Sequence, residues 1–211
     1  MTAMRESLKV DARTLSVLAI VLALTPACIT EPDTVTNDAS NALVQIVRMG
    51  ATSSDFEGVG EAVDFLLSDV CFADEEHPPC TLFNDNGVVT LRAVPKDRTQ
   101  PANDINDVTF TRYRVTFIRA DGRNVQGVDV PYAFDGAFNV TVPVTGLGVD
   151  GGFILIRHQA KAESPLREIS FNRSLILSVI AQVDFYGADG SGRAVQVTGY
   201  VNVTFADFAN E

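Results

Sequence analysis

The sequence predicts an all-β protein, a single antiparallel β-sandwich that follows a leader segment and a polar tether. Three observations support this prediction. From residue 43 onward, apolar and polar residues alternate over roughly seven or eight short segments. Turn sequences rich in Gly, Asn and Asp separate these segments. No segment beyond the leader shows a convincing helical period, so the strands should be joined by hairpins and not by crossover helices.

Residues 1–27 have the pattern of an export signal peptide. Basic residues precede an apolar run from Leu15 to Leu24. A run of about 10 apolar residues is typical of a signal peptide and is about half of what a membrane-spanning helix needs. Ala27 is the small residue that a signal peptidase requires beside the scissile bond. We therefore expect cleavage before Cys28 and export of the remaining chain.

The residues LTPAC, which end at Cys28, resemble the lipobox of bacterial lipoproteins. In that family the cysteine thiol is diacylated and becomes the mature N-terminus, so the resemblance implies lipidation of Cys28 and a membrane anchor. Ordinary secretion with a free Cys28 is the alternative. Family members retained at the inner membrane tend to carry Asp directly after the cysteine, whereas this chain has Ile29. The resemblance therefore implies an extracytoplasmic protein of the bacterial cell envelope, anchored at the outer membrane.

Residues 28–42 are polar and acidic, which predicts a lipidated N-terminus and a flexible tether to a domain at residues 43–211. The chain carries 16 Lys and Arg against 27 Asp and Glu, a net charge of −11. Such a chain repels phosphate backbones, so no nucleic acid is expected as a partner. Tryptophan is absent, which excludes sugar stacking on indole rings but not on Tyr or Phe.

The strand segments follow one another in chain order. Those predicted are LVQIVRM, VVTLRAV, DVTFTRYRVTFIRA, AFNVTVPV, FILIRHQA, LILSVIAQVDFY and AVQVTGYVNVTF. In the last of these, Val195, Val197 and Val201 alternate with Gln196 and Thr198, which predicts one buried and one solvated face. The segment EGVGEAVDFLLSDV, between the first two, is predicted to be a loop followed by a strand.

The chain closes with the predicted hairpin QVDFYGADGSGRAVQVTGYVNVTF, whose connection is rich in glycine. This hairpin resembles the last strand pair of bacterial immunoglobulin-like and fibronectin-like domains. The resemblance implies an immunoglobulin-like sandwich. The chain has neither the inter-sheet cysteine spacing nor the buried tryptophan of antibody domains.

Cys71 and Cys80 remain as a pair if Cys28 carries the lipid. Outside the cytoplasm we predict that they form a disulfide, which closes a loop containing proline. A metal site of both cysteines, His77 and a neighbouring carboxylate is the competing interpretation, but the cysteine spacing does not match that of zinc sites. Free thiols are the third alternative.

The sequence contains no group of residues expected of an enzyme. His77 and His158 are the 2 histidines. Alternation in FILIRHQA places His158 with Ile154 and Ile156 on the apolar face, which predicts a partly buried structural histidine. No GxSxG, HExxH, P-loop or dinucleotide-binding fingerprint is present. We therefore predict a non-catalytic protein without a cofactor.

Calcium is the metal to consider, because Asp and Asn cluster in predicted loops. Asp129, Asp135 and Asp189 are the candidate ligands, since Ca²⁺ prefers oxygen donors. The same residue types suit the backbone geometry of turns, and no run matches an EF-hand loop. Turn formation is therefore the favoured interpretation.

The predicted loop 122–136 is long for a sandwich connection and carries Tyr132 and Phe134. Long loops on a rigid scaffold are typical of recognition sites, so these two aromatic residues are the candidate ligand-binding residues. The alternative is that both fold back to cap the core.

Basic residues alternate on two predicted strands, Arg112 with Arg114 and Arg157 with Lys161. Such a face could bind an anionic polymer. In so acidic a chain, however, the favoured prediction is that they pair with Asp and Glu on the solvent side.

Two functional hypotheses follow from the sequence. The favoured one is a non-catalytic envelope lipoprotein, a protein-interaction or structural module held by its lipid near another envelope protein. The other is a small-ligand or carbohydrate-binding module that uses the 122–136 loop, with or without bound calcium.

Overall fold

The computed structural model describes residues 40–52, 64–71, 80–97, 99 and 101–208, all within one compact unit, Val35–Glu211. The leader, Cys28 and most of the predicted tether lie outside the described residues. The described strands are β1 (Ala42–Thr52), β2 (Phe65–Asp69), β3 (Asp85–Pro95), β4 (Val108–Ile118), β5 (Phe134–Val142), β6 (Gly148–Ile156), β7 (Leu177–Asp189) and β8 (Ala194–Ala206). The described helices are α1 (His158–Lys161), α2 (Leu166–Ser170) and a 3-10 turn, Asp104–Asn106. None of them is long and apolar enough to cross a membrane.

The strands form two sheets that pack against each other. One sheet has the order β1-β3-β6 and the other the order β2-β8-β7-β4-β5. The predicted all-β sandwich is therefore confirmed. Strand β2 runs parallel to β8, with Phe65 beside Asn202, whereas the other described pairs are antiparallel. The prediction of a wholly antiparallel sandwich is wrong at β2, because the chain crosses to the second sheet after β1 and does not turn back in a hairpin.

Alternation places the apolar side chains between the sheets. In β8 the predicted inward residues Val195, Val197, Val201, Val203 and Phe205 are all buried. The strand predicted within EGVGEAVDFLLSDV is β2, and most of the loop predicted before it lies outside the described residues. The faces predicted to be apolar are thus those through which the two sheets pack.

The prediction of a strand through FILIRHQA is wrong at its end. Strand β6 stops at Ile156, and Arg157 is the N-cap of α1, with its carbonyl accepting a hydrogen bond from Ala160 N at 2.9 Å. Lys161, in the same helical turn, is fully buried against Asp85. Strand alternation therefore does not extend past Ile156, and Lys161 is turned inward by the helix.

The sandwich has two distinct ends. At what we call the N-terminal end, β1 begins and β7 finishes, and Ser40 Oγ donates a hydrogen bond to Asp189 Oδ2 at 2.8 Å. At the opposite end, which we call the far end, β4, β6 and β8 finish and β3, β5 and β7 begin. The connection 119–133 and the helical segment 157–176 both lie at the far end. The chain therefore enters at one end and carries its longest described irregular segments at the other.

Aromatic side chains fill one side of the core. The rings of Tyr113, Phe138, Phe153 and Phe185 have centroids between 4.9 and 6.4 Å apart. Glycines face three of these rings: Gly87 lies against Phe153, Gly136 against Tyr113 and Gly151 against Phe138. A Cβ atom at any of the three would overlap the ring.

Candidate functional site

The two aromatic residues of the 122–136 segment lie in different environments. Phe134 begins β5 and is only 5 % exposed, as the core-capping alternative expects. Tyr132 is 51 % exposed, and its ring lies over Gly127, a glycine with a φ of 76° that provides the backbone conformation and the space. The structure therefore does not bring Tyr132 and Phe134 together in one pocket.

Hydrogen bonds and ion pairs hold the 119–133 connection at the far end. Asp121 pairs with Arg119 at 2.6 Å and with Arg123 at 2.9 Å. The hydrogen bond from Arg119, with further bonds from Arg123, lowers the pKa of Asp121 far below its usual range. Asp129 Oδ2 accepts from Val125 N at 3.2 Å. These contacts order the backbone and leave the apolar side chain of Val125 exposed.

The three calcium candidates lie apart and already have partners. Asp135, on β5, accepts from Arg112 at 3.3 Å and Arg114 at 2.7 Å, so the predicted solvent-side pairing holds for these two arginines. Asp129 lies in the far-end connection and Asp189 at the N-terminal end. Within the described ranges, no three His, Cys, Asp or Glu side chains are grouped so that they could hold a metal ion.

Asp189 is a buried carboxylate with a structural task. It accepts hydrogen bonds from Ser40 Oγ at 2.8 Å, from Ser191 N and Oγ at 3.0 and 2.6 Å and from Arg193 N at 3.0 Å. Burial acts to raise its pKa, but these hydrogen bonds outweigh burial, and the pKa of Asp189 is lowered. The carboxylate therefore closes the β7–β8 hairpin and joins it to the start of β1.

The disulfide predicted between Cys71 and Cys80 is present, with the Cα atoms 4.6 Å apart. It follows β2 and precedes β3, and so lies at the far end. Residues 72–79, with His77 among them, lie outside the described residues. The bond restrains this connection and leaves neither thiol for metal binding.

A buried ionic group lies beneath the far end. Lys161 Nζ lies 3.2 Å from Asp85 Oδ1 and 3.1 Å from Asp85 Oδ2, and both side chains are fully buried. Ser68 Oγ donates to Asp85 Oδ2 at 2.6 Å. The group joins α1 to β3, which belongs to the three-stranded sheet, and to β2, which belongs to the five-stranded sheet. The prediction that Lys161 lies on the solvent side is wrong, because α1 turns it inward.

His158 lies at the start of α1 and contacts Asn84. It begins α1 and is exposed, so its predicted place on the apolar face of a strand is wrong. Its backbone N donates to Asn84 Oδ1 at 2.7 Å, and its Nδ1 lies 3.1 Å from the same oxygen. These contacts position the helical turn next to the start of β3.

A cleft of about 570 Å³ lies along the open edge of the sandwich, where β5 and β6 are the outer strands. We call it the side cleft. It is lined by Asn86, Gly87, Val88, Tyr113, Phe134, Asp135, Gly136, Ala137, Gly152, Phe153, Ile154 and Arg157. The volume is in the range of small-ligand sites, and the walls are mainly apolar. Phe134 and Arg157 were singled out from the sequence, but alternation gave no sign that they share a cavity.

Tyr113 spans the side cleft. Its hydroxyl donates to Ile154 O at 3.0 Å and accepts from Ile154 N at 3.2 Å, on the edge of β6. Burial raises the pKa of Tyr113, although the hydrogen bond from Ile154 and the nearby charge of Arg157 oppose this. The neutral hydroxyl can therefore serve as donor and acceptor at the same time.

A second cleft of about 610 Å³ lies on the outer face of the five-stranded sheet, near the N-terminal end. Arg112 stacks over Tyr186, 4.3 Å from the ring centroid, and both residues line this cleft. Asp107 and Asp189 also line it, but Asp107 accepts from Val144 N at 2.8 Å and Asp189 closes the hairpin. These polar groups therefore have partners within the fold.

Of the 14 exposed large apolar side chains among the described residues, 6 lie in the two far-end segments 119–133 and 157–176, and the other 8 lie elsewhere on the surface. The six are Val125, Val128, Tyr132, Phe171, Leu175 and Ile176. Exposed apolar side chains that lie close together on a rigid scaffold are typical of a surface that another molecule covers.

Comparisons with protein-family models, with curated proteins and with solved structures found no significant match.

Proposed function

We propose that the protein is a non-catalytic module of the bacterial cell envelope, anchored by a lipid on Cys28, that docks on another envelope protein through its far end. The LTPAC sequence at the end of an apolar leader supports the anchor and the extracytoplasmic, outer-membrane location. The disulfide between Cys71 and Cys80 agrees with an oxidising compartment. The exposed apolar residues of the far end support docking.

One observation carries the docking proposal. Ser40, the first described residue, is bonded to Asp189 at the N-terminal end, so the described chain begins at that end. The exposed apolar side chains of segments 119–133 and 157–176 lie at the opposite end. A lipid anchor would thus leave the far end free to meet a protein partner and would raise its local concentration.

We infer further that the sandwich is immunoglobulin-like. The order of strands supports this. If β2 is counted as an addition, β1, β3 and β6 correspond to strands A, B and E of an immunoglobulin domain, which also share one sheet. Strands β4, β7 and β8 share the other sheet, with β5 added beside β4, as in variable-type domains.

Photocrosslinking from two matched positions tests the docking proposal. Val128 at the far end is 66 % exposed and Leu147 at the N-terminal end is 70 % exposed. We expect a benzophenone amino acid at position 128 to crosslink one envelope protein in living cells, and the same group at position 147 not to. Equal products from both positions, or none from position 128, would refute docking through the far end.

The anchor is tested separately. We expect Cys28→Ser to move the protein from the membrane fraction to the soluble extracytoplasmic fraction, and metabolic labelling with a fatty-acid probe to be lost. An unchanged distribution would remove the lipid from the proposal and leave docking to be judged by the crosslinks.

A further inference from the structure

The side cleft contains a guanidinium group with unused hydrogen-bonding capacity. The guanidinium carbon of Arg157 lies 4.1 Å from the centroid of the Phe134 ring. Arg157 Nε is buried and has no hydrogen-bond partner. Native proteins satisfy nearly all buried N–H groups, because an unpaired one is costly. The guanidinium of Arg157, which lines the cleft, therefore has donor capacity that no described group uses.

Arg157 differs in this respect from neighbouring cations. Arg112 and Arg114 both pair with Asp135, and Lys161 pairs with Asp85. No described carboxylate forms an ion pair with Arg157. The chain has 27 acidic residues, so the lack of a partner for Arg157 does not reflect a shortage of carboxylates. Asp135 lines the same cleft, but its two oxygens are directed to the other arginines.

The walls around Arg157 are apolar and shaped by aromatic rings. Phe134 and Phe153 line the cleft with Val88, Ala137 and Ile154. The hydroxyl of Tyr113, the nearest phenol, is already bonded twice to Ile154. An occupant would therefore meet the unpaired guanidinium of Arg157, the carboxylate of Asp135 that is already paired, and a largely hydrophobic surface.

We propose that the side cleft binds a small ligand that carries a carboxylate on an apolar body. The two carboxylate oxygens fit the paired terminal N–H groups of the Arg157 guanidinium, which lines the cleft. The apolar body contacts the aromatic and aliphatic walls. The proposal is independent of docking through the far end, and either can fail without the other.

Ligand titrations followed by NMR test this site. The probes are phenylbutyrate and octanoate, with phenylbutanol and octanol as uncharged matches. The protein is the exported chain with Cys28→Ser and its disulfide intact. We expect both carboxylates to shift the amide signals of Gly152 and Phe153 in a saturable way, with Kd below about 1 mM. We expect the alcohols to bind at least about tenfold more weakly.

Three variants separate the site from general charge effects. Arg157→Gln should weaken carboxylate binding at least about tenfold and remove the preference over the alcohols. Arg193→Gln, which removes the same charge from an exposed hairpin at the N-terminal end, should change neither. Gly152→Leu should block both classes of probe, because a Cβ at Gly152 meets no atom within 4 Å and the side chain can occupy the rim.

Melting temperatures of the variants establish that each is folded before binding is compared. Carboxylates that bind Arg157→Gln as tightly as the parent would overturn the proposal. So would equal weakening by Arg193→Gln, or cleft amides that neither carboxylate shifts in the millimolar range.

Discussion

Replacing Lys161 by Met tests the energetic role of the buried ionic group. Lys161 and Asp85 are both fully buried, and the ammonium lies 3.1 and 3.2 Å from the two carboxylate oxygens. Met keeps most of the apolar stem but removes the ammonium group from the buried carboxylate, to which Ser68 also donates a hydrogen bond. Breaking a buried pair in this way costs about 3 to 5 kcal/mol in the free energy of unfolding. For a domain of this size that is a large share of the total.

Urea unfolding followed by circular dichroism, with the disulfide intact, measures this loss. The control is Arg112→Met, which removes an exposed partner of Asp135 and should cost less than about 1 kcal/mol. The double variant Lys161→Met with Asp85→Asn removes both charges, so we expect it to recover more than half of the stability lost by the single variant.

Two results would refute this reasoning. If Lys161→Met costs less than about 1 kcal/mol, the pair is not dehydrated as its burial indicates. If the double variant is as unstable as the single one, the loss comes from packing around the lysine stem and not from an uncompensated charge.

Three further predictions concern single groups. Gly136→Ala should lower the free energy of unfolding by about 1 to 3 kcal/mol, because its Cβ would overlap the Tyr113 ring, whereas Gly152→Ala should be nearly neutral in the same urea titration. Asp189→Asn should make the melting temperature fall less steeply below about pH 4. The pKa of Asp189 in the folded state is lowered from 3.8, so the ionised carboxylate stabilises the fold above the unfolded-state pKa. This stabilisation is lost as the pH falls through the folded-state pKa, and the variant does not have it to lose. A chelator should leave the melting temperature of the parent unchanged, because the three candidate aspartates lie apart; a shift of several degrees would show a calcium site.

The strands were predictable because their signal is local. Successive side chains of a strand point to opposite faces of the sheet, so Val195, Val197 and Val201 share one face. Because the other face is solvated, the strand shows a clear alternation of apolar and polar residues in the sequence. The disulfide was predictable from the export pattern of the leader and from the even number of cysteines that follow Cys28. The direction of β2 was not, because parallel pairing with β8 depends on where the chain crosses between sheets.

The helical turns and the side cleft escaped prediction for related reasons. Helices α1 and α2 are 4 and 5 residues long, too short to show a helical period in the sequence. Once β6 ends at Ile156, the alternation that assigned faces to Arg157, His158 and Lys161 no longer applies. The arginine then stacks on Phe134, the histidine is exposed and the lysine is buried.

The hydroxyl of Tyr113 has a consequence for solubility. It occupies the N–H and C=O of Ile154, the groups that a strand from a second molecule would use to extend the sheet at β6. The backbone of β6 has few other side chains to shield it from a second strand, since Gly148, Gly151 and Gly152 carry none. One phenol thus protects an edge that would invite aggregation.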